Sequence, residues 1–331
     1  MVLKEISAEC CGNRQSNGFG SPLLQGPKHR DGHPQNRMQK GICRRARNVC
    51  DELMDRTLEV AERQVAAAVE AKGLSPESGY EAEEWMGGPV CVIRVLRLLR
   101  NTLRAYHRDG KISWPKGAVR TRKNGQVQVR VFPNELLDRI LFTGFEADVW
   151  MQSGVTPENL HEHVASFYRR PEHAGRLALV LGAGNVASIG ILDAVDKLFC
   201  RGEVVLLKLN PVNQYLGPFI EEIFGELIGD GYVRVAGGGA DVGAYLCNHP
   251  AVETIHITGS GDTHDAIVFG TGEAGARQKA QGEPILRKPI TSELGNVSPV
   301  IVTPGDILQR HPHGDFEREH RNRSGHAERT G

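Results

Sequence analysis

Between residues 176 and 302, short apolar runs alternate with longer amphipathic segments, and only a few residues separate them. The apolar runs are RLALVLG, EVVLLKL, YVRVAG and VETIHIT, while intervening segments such as NVASIGILDAVDKLF have helical spacing. Parallel strands need long crossover connections, which usually contain a helix. The alternation therefore predicts an α/β fold, with a parallel sheet, right-handed crossovers and helices on both faces.

The loops that follow the predicted strands are candidate sites, because parallel sheets bind ligands at the carboxyl ends of their strands. The first loop, GAGNVA, begins at Gly182 and fits G-x-G-x-x-A between a strand and a helix. The ordinary dinucleotide fingerprint also needs an acidic residue near the end of the next strand, where this chain has Lys208 and Asn210. A standard Rossmann dehydrogenase is therefore an alternative, and so is a glycine turn that only lets helix and strand pack closely.

The chain up to residue 48 has no helical or strand periodicity. It carries nine Lys and Arg against three Asp and Glu up to residue 47. This composition predicts a disordered, basic segment. One functional hypothesis is therefore an adaptor whose basic N-terminal arm binds nucleic acid or another acidic surface.

Residues 49–175 are predicted to form a helical and β-hairpin region. An apolar pattern of helical spacing ends at Gly73, and a second helix is predicted after Pro89. The Asn124-Gly125 pair between two alternating runs predicts a hairpin. The stretch TPENLHEHVASFYRR predicts a further helix with Thr156 as its N-cap.

Three motifs follow the GAGNVA turn, namely VVLLKLNP, GGGADVGAYLCNHPAVETIHITGS and SELGN. In this order and spacing they resemble the aldehyde dehydrogenase superfamily, over about residues 50–302. The resemblance implies a Rossmann-like cofactor domain at residues 176–302. It also implies NAD or NADP as cofactor, with oxidation of a small-molecule aldehyde or reduction of an acyl thioester as the reaction.

The resemblance assigns roles to individual residues. Asn185 would donate to the oxyanion of a thiohemiacetal, and Glu293 would be the general base that activates water. Lys208 would contact the adenosine ribose, and Ser260 would lie where the pyrophosphate approaches a helix N-terminus. The cofactor-binding residues implied are Gly182, Lys208, Gly239, Gly243, Thr258, Gly259, Ser260 and Leu294, and no metal ligand is implied.

Each of these assignments has a plain structural alternative. Asn185 could cap the helix that follows it, and Lys208 could be a solvated strand end. Glu293 could be a carboxylate that accepts backbone N–H groups. All three alternatives are left open by the sequence.

Several positions depart from the pattern of the superfamily. Gly182-Ala183-Gly184 stands where most members have an apolar residue, Pro and Trp, which resembles the acyl-CoA reductase branch. Pro211 replaces a Glu of many NAD users, and Asn296 replaces a Gly. The substrate and the choice between NAD and NADP therefore stay open.

The nucleophile of the superfamily is a Cys downstream of the general-base Glu, whereas the last cysteine here is Cys247. Residues 303–331 have no pattern and are expected to be a disordered tail. We expect that the chain is truncated and that both termini are translated out of frame or from a misplaced boundary. Such a chain would lack the catalytic domain and the oligomerisation strand of the superfamily. We therefore expect it to be inactive as an enzyme. A catalytically silent dinucleotide-binding module is an alternative, and the tail could bind metal through His311, His313, His320 and His326.

Composition limits the partners. The chain has 40 Lys and Arg and 40 Asp and Glu, so no global field recruits nucleic acid or a membrane surface. The apolar run from Leu177 to Leu192 is broken by polar residues and glycines, which argues against a membrane span. The seven cysteines include no C-x-x-C pair, so reduced thiols and a cytoplasmic location are expected.

Overall fold

The computed structural model describes residues 34–75, 79–112, 114–169 and 175–295. They belong to two compact units, one with residues 50–97 and 175–295, the other with residues 34–49 and 98–169. The tail predicted at 303–331, its four histidines and Asn296 lie outside the described residues. None of the helices in the described residues is long and apolar enough to cross a bilayer.

The first helix, α1 (Pro34–Ala71), starts 15 residues before the predicted start at Val49. The predicted disorder of residues 1–48 is therefore corrected for residues 34–48, whereas residues 1–33 lie outside the described part. The physical reason is a helical period that the polar composition hides, since Cys43, Ala46 and Cys50 are all buried. Where the helix ends, the structure agrees with the prediction, because Gly73 has φ +63°.

Two helices follow, α2 (Glu81–Trp85) and α3 (Cys91–Asp109), joined by a π-helical turn at Met86–Val90. The helix predicted after Pro89 is confirmed. Its apolar face is buried at Val92, Leu96, Leu103 and Tyr106.

The unit with residues 98–169 contains an antiparallel sheet of β1 (Val119–Thr121), β2 (Val127–Phe132) and β3 (Ala147–Trp150), in the order β1-β2-β3. Helix α4 (Leu136–Leu141) lies between β2 and β3 in the chain. The predicted hairpin is confirmed, with Gly125 at φ +83° in its turn.

The helix predicted from Thr156 is wrong as one continuous element. The chain forms a 3₁₀ turn at Leu160–Glu162 and a short helix, α5 (Ser166–Arg169). The Asn159 side chain accepts from the Thr156 backbone N–H and donates to the Gly154 carbonyl, and Ala165 has φ +49°. These local hydrogen bonds and the left-handed residue compete with a continuous helix.

The other unit is built on five parallel strands, in the order β6-β5-β4-β7-β8. The strands are β4 (Leu177–Leu181), β5 (Val204–Lys208), β6 (Val233–Ala236), β7 (Thr254–Gly259) and β8 (Ile290–Leu294). This arrangement confirms the predicted α/β class.

Helical segments connect the strands. Helix α6 (Ile189–Val195) runs into a π-helical turn at Asp196–Arg201 before β5. A 3₁₀ turn at Pro211–Leu216, α7 (Gly217–Ile223) and α8 (Gly225–Gly229) precede β6. The remaining connections contain α9 (Ala240–Asn248), α10 (Gly261–Phe269) and α11 (Gly272–Gln281).

The core of this unit surrounds β4, whose five residues are all buried. Leu179 packs in one cluster with Leu206, Leu246, Ile255 and other apolar residues. Burying such side chains stabilises the fold by about 1.5–3 kcal/mol each. A strand covered on both faces is apolar at every position, which explains the continuous run LALVL.

The unit boundaries differ from the predicted domain boundary at residue 175. Residues 50–97 join the parallel sheet because α1 packs on the helices that follow β5. Arg63 on α1 forms an ion pair of 2.6 Å with Glu222 and lies over the Phe219 ring, 5.8 Å from its centroid. The part of α1 from residue 50 onward therefore belongs to the α/β unit.

Candidate functional site at the carboxyl edge of the sheet

The five parallel strands β4 to β8 all end on the same side of the sheet. We call this side, formed by the carboxyl ends of the five strands, the carboxyl edge. In the register, Leu181 pairs with Lys208, and Lys208 pairs with Ala236. On the other side of β4, Thr258 pairs with Glu293. The structure thus places Lys208, Thr258, Gly259, Glu293 and Leu294, all predicted from the sequence, at one edge.

The loop after β4 follows the neighbouring strand closely. The Gly182 N–H donates to the Lys208 carbonyl at 3.0 Å. A Cβ at Gly184 would lie only 2.9 Å from both Asn210 Nδ2 and Val212 Cγ2. Only glycine fits this approach without movement of its neighbours, so the sequence GAGN sets the path of the loop.

The Asn185 side chain is exposed and makes no hydrogen bond with any other described residue. Helix α6 begins after Ser188, three residues further on, so the alternative of Asn185 as its N-cap is wrong. The Ser188 N–H donates to the Gly87 carbonyl at 3.2 Å, which ties the loop to the π-helical turn. Asn185 is therefore an amide on an anchored loop, with no hydrogen-bond partner in the described part of the chain.

Lys208 ends β5 and is only 6% exposed, so the alternative of a solvated strand end is wrong. Its ammonium has no hydrogen-bond or ion-pair partner within residues 34–295 as described. Burial lowers the pKa of Lys208, and the charge of Asp241 partly opposes this effect. An ammonium without a protein partner, carried by a largely buried side chain, suits a ligand that offers an acceptor oxygen.

The predicted residues Gly239 and Gly243 lie where β6 leads into the first turn of α9. Gly239 is the residue before α9, and the Gly243 N–H donates to its carbonyl at 3.2 Å inside the first turn. Asp241 lies in the same turn and is exposed. The turn therefore places backbone N–H groups and one carboxylate next to the end of β6.

Ser260 is the N-cap of α10, directly after β7. Its hydroxyl accepts from the Thr263 N–H at 3.1 Å. The Gly295 N–H donates to the Gly259 carbonyl at 3.1 Å, which joins this turn to the end of β8. The N-terminus of α10 thus opens at the carboxyl edge, where its free N–H groups can receive an anion.

A polar cluster beside these residues was not predicted from the sequence. Thr258 Oγ1 donates to Asp193 Oδ2 at 2.9 Å, and His256 Nε2 lies 3.4 Å from Asp193 Oδ1. His256 Nδ1 lies 2.8 Å from Thr291 Oγ1. We call these four residues the Asp193 cluster. The sequence does contain a signal for this cluster, because polar residues occupy alternating positions of the otherwise apolar strand VETIHIT.

Glu293 is exposed and lies on the same face of β8 as Thr291, two residues earlier. Its carboxylate has no hydrogen-bond partner in the part of the chain that the structure describes. Within the described residues, Glu293 therefore does not act as a structural carboxylate that accepts backbone N–H groups.

Neither Cys200 nor Cys247 is an activated thiol. Cys247 is buried, and burial raises its pKa. Cys200 is exposed as a residue, yet burial around its sulfur and the Asp196 carboxylate raise its pKa to about 12. Since the thiolate is the nucleophile, these surroundings disfavour covalent catalysis by either residue.

Known proteins resemble part of the chain. No profile of a known protein family matches it. It is 30% identical over 157 residues to 4-trimethylaminobutyraldehyde dehydrogenase A of Danio rerio, which covers 45% of this chain and 28% of that protein. It is 31% identical over 157 residues to the Homo sapiens enzyme of that name, covering 45% and 29%.

Among solved structures, aldehyde dehydrogenase from Bartonella henselae aligns over 81% of this chain and 44% of its own, at 15% identity and a TM-score of 0.45. In sequence, the chain matches less than a third of the length of each of these two dehydrogenases. Over the matched segment, this chain is related to the aldehyde dehydrogenase superfamily.

Proposed function

We propose that this chain binds NAD or NADP at the carboxyl edge, as the cofactor-binding part of an oxidoreductase that acts on aldehydes or acyl thioesters. The observation that carries the proposal is Lys208, a largely buried residue whose ammonium lacks a hydrogen-bond or ion-pair partner among the described residues. A ribose hydroxyl or a phosphate would supply the missing acceptor.

The residues at the edge fit a dinucleotide. The N-terminus of α10, opened by Gly259 and capped by Ser260, suits the pyrophosphate. Gly182, Gly239 and the residues around them allow backbone N–H groups to approach a ligand. The bound cofactor would accept or supply a hydride, which no side chain of the chain can do.

Asn185 and Glu293 are the residues that we assign to the substrate. The exposed Asn185 amide can donate to an oxyanion without a change of protonation. The exposed Glu293 carboxylate can take a proton from water. The Asp193 cluster holds Thr258, the residue paired with Glu293 in the sheet.

We propose further that the chain as given binds cofactor but does not oxidise aldehydes. No cysteine follows Cys247 in the sequence, and the pKa of both Cys200 and Cys247 is raised. The missing activated cysteine favours a catalytically silent dinucleotide-binding module over an active enzyme. We propose a cytoplasmic location from the expected reduced thiols, and the zero net charge provides no global field that would recruit nucleic acid.

Calorimetry with NAD and with NADP tests the binding proposal. We expect a dissociation constant between about 10 μM and 1 mM for at least one dinucleotide, and a loss of about tenfold in Lys208→Met. Lys279→Met, at an exposed lysine of α11, is the matched control and should bind as the parent does. Absence of heat and of a thermal shift at millimolar cofactor would refute binding.

An activity assay tests the second part of the proposal. Short, long and aromatic aldehydes with either cofactor should give no reduced dinucleotide above background. Turnover in the parent that disappears in a Cys200→Ser, Cys247→Ser double variant would show that one of these thiols serves as nucleophile after all.

A further inference from the structure

The charges beside Lys208 bear on which dinucleotide the edge accepts, and this inference rests on the proposed function. Lys208 pairs with Ala236 at the end of β6, and α9 begins after only three glycines. That short turn places Asp241 in the first turn of α9, near the end of β5. The Asp241 carboxylate is exposed, and its charge acts on Lys208.

The residues after β5 themselves provide no carboxylate. Leu209 is apolar and Pro211 is uncharged, and the side chain of Asn210 accepts from the Val212 N–H at 3.1 Å. Asn210 is therefore occupied as the cap of the 3₁₀ turn. Asp241 takes the place of the acidic residue that the end of the second strand lacks.

One ammonium and one carboxylate match a diol better than a phosphate. A ribose 2′,3′-diol can donate to the Asp241 carboxylate and accept from the Lys208 ammonium. A 2′-phosphate has acceptor oxygens only and carries about −1.5 to −2 charge near pH 7, so the same carboxylate repels it.

The N-terminus of α9 does not reverse this preference. A helix N-terminus favours negative charge, but Asp241 in the first turn already supplies one. A phosphate would therefore meet a helix terminus whose dipole is partly compensated.

We propose that Asp241, together with Lys208, selects a dinucleotide with a free ribose 2′-hydroxyl, so that the chain prefers NAD over NADP. Asp241 is the specificity residue, since it discriminates at the 2′ position. Lys208 contributes to the binding of both dinucleotides.

Calorimetric titration of the full chain with NAD and with NADP tests the proposal, in the parent, Asp241→Asn and Asp241→Ser. We expect the parent to bind NAD at least about fivefold more tightly than NADP. Both variants should lower this ratio by about five- to tenfold, through weaker NAD binding, tighter NADP binding or both. Far-UV circular dichroism checks that the variants stay folded, as expected for an exposed residue.

Asp262→Asn is the matched control, because Asp262 has the same position in the first turn of α10 as Asp241 has in α9. This variant should change both affinities by the same factor and leave the ratio as in the parent. A parent that prefers NADP, or a ratio that Asp241→Asn and Asp241→Ser leave unchanged, overturns the specificity role and keeps the proposed function. Failure of the parent to bind either dinucleotide overturns the proposed function, and this inference with it.

Discussion

The imidazole of His256 on β7 lies 3.4 Å from the carboxylate of Asp193 on α6. Both side chains are largely buried, at 13% and 17% exposure. The other ring nitrogen of His256 lies 2.8 Å from Thr291 Oγ1 on β8. This contact therefore joins the helix that follows the Asn185 loop to the strand that carries Glu293.

Removing the carboxylate from the Asp193 cluster should destabilise the chain. In Asp193→Ala, the half-buried Thr258 hydroxyl loses its acceptor and the His256 ring loses the neighbouring carboxylate, which should cost about 1–3 kcal/mol of unfolding free energy. Urea denaturation measures the change. The exposed Glu283→Ala is the control and should stay within about 0.5 kcal/mol of the parent. Equal stability of both variants would show that the cluster contributes nothing to the fold.

Glycine should be required at position 184 and not at position 243. A Cβ in Gly184→Ala would displace Asn210 and Val212, and loss of the Asn210 cap adds about 1 kcal/mol to the packing cost. We expect a destabilisation of about 1–3 kcal/mol. Gly243→Ala adds a Cβ in open space within α9 and should stabilise by up to about 1 kcal/mol. Thermal denaturation of the two variants measures the difference. A Gly184→Ala variant as stable as the parent would contradict the close approach of Gly184 to Asn210 and Val212.

Glu52 should make stability fall as pH rises. Burial and the neighbouring Glu226 carboxylate raise the pKa of Glu52 from its ordinary 4.5 to about 7. The folded chain thus keeps this proton where the unfolded chain has released it. The stabilising contribution is complete below about pH 4.5 and is lost as pH rises through about 7.

Urea midpoints between about pH 5 and pH 8 measure this effect, and Glu52→Gln should flatten the slope because a glutamine cannot ionise. The exposed Glu62→Gln on the same helix is the control and should keep the slope of the parent. A parent slope identical to that of Glu52→Gln would exclude a raised pKa for Glu52.

Cys200 should react slowly despite its exposure. Its pKa is raised from 9.0 to about 12, so little thiolate exists near neutral pH. We expect alkylation by iodoacetamide at about pH 7.5 to be at least about tenfold slower than in the denatured chain, and to accelerate as pH rises. Mass spectrometry of the Cys200 peptide gives the rate, with Cys200→Ser as the blank. Equal rates in the native and denatured chain would contradict the raised pKa.

The sequence alone determined most elements of the α/β unit. A run such as LALVL can bury both faces only inside a parallel sheet, and Gly73 and Asn124-Gly125 mark ends and turns through backbone preferences that are local. Local preference also explains two errors. The buried positions Cys43 and Ala46 are sparse within a polar segment, and the side chain of Asn159 interrupts a helical pattern.

Tertiary structure alone decided what surrounds the candidate site residues. Lys208 looks in the sequence like a solvated strand end, yet in the folded sheet, where β5 lies between β4 and β6, the residue is only 6% exposed. Asp193 and His256 are 63 residues apart in the chain, and Asp241 follows Lys208 by 33. Such pairs meet through strand order and register, which depend on the packing of the whole sheet, so no short window of sequence could show them.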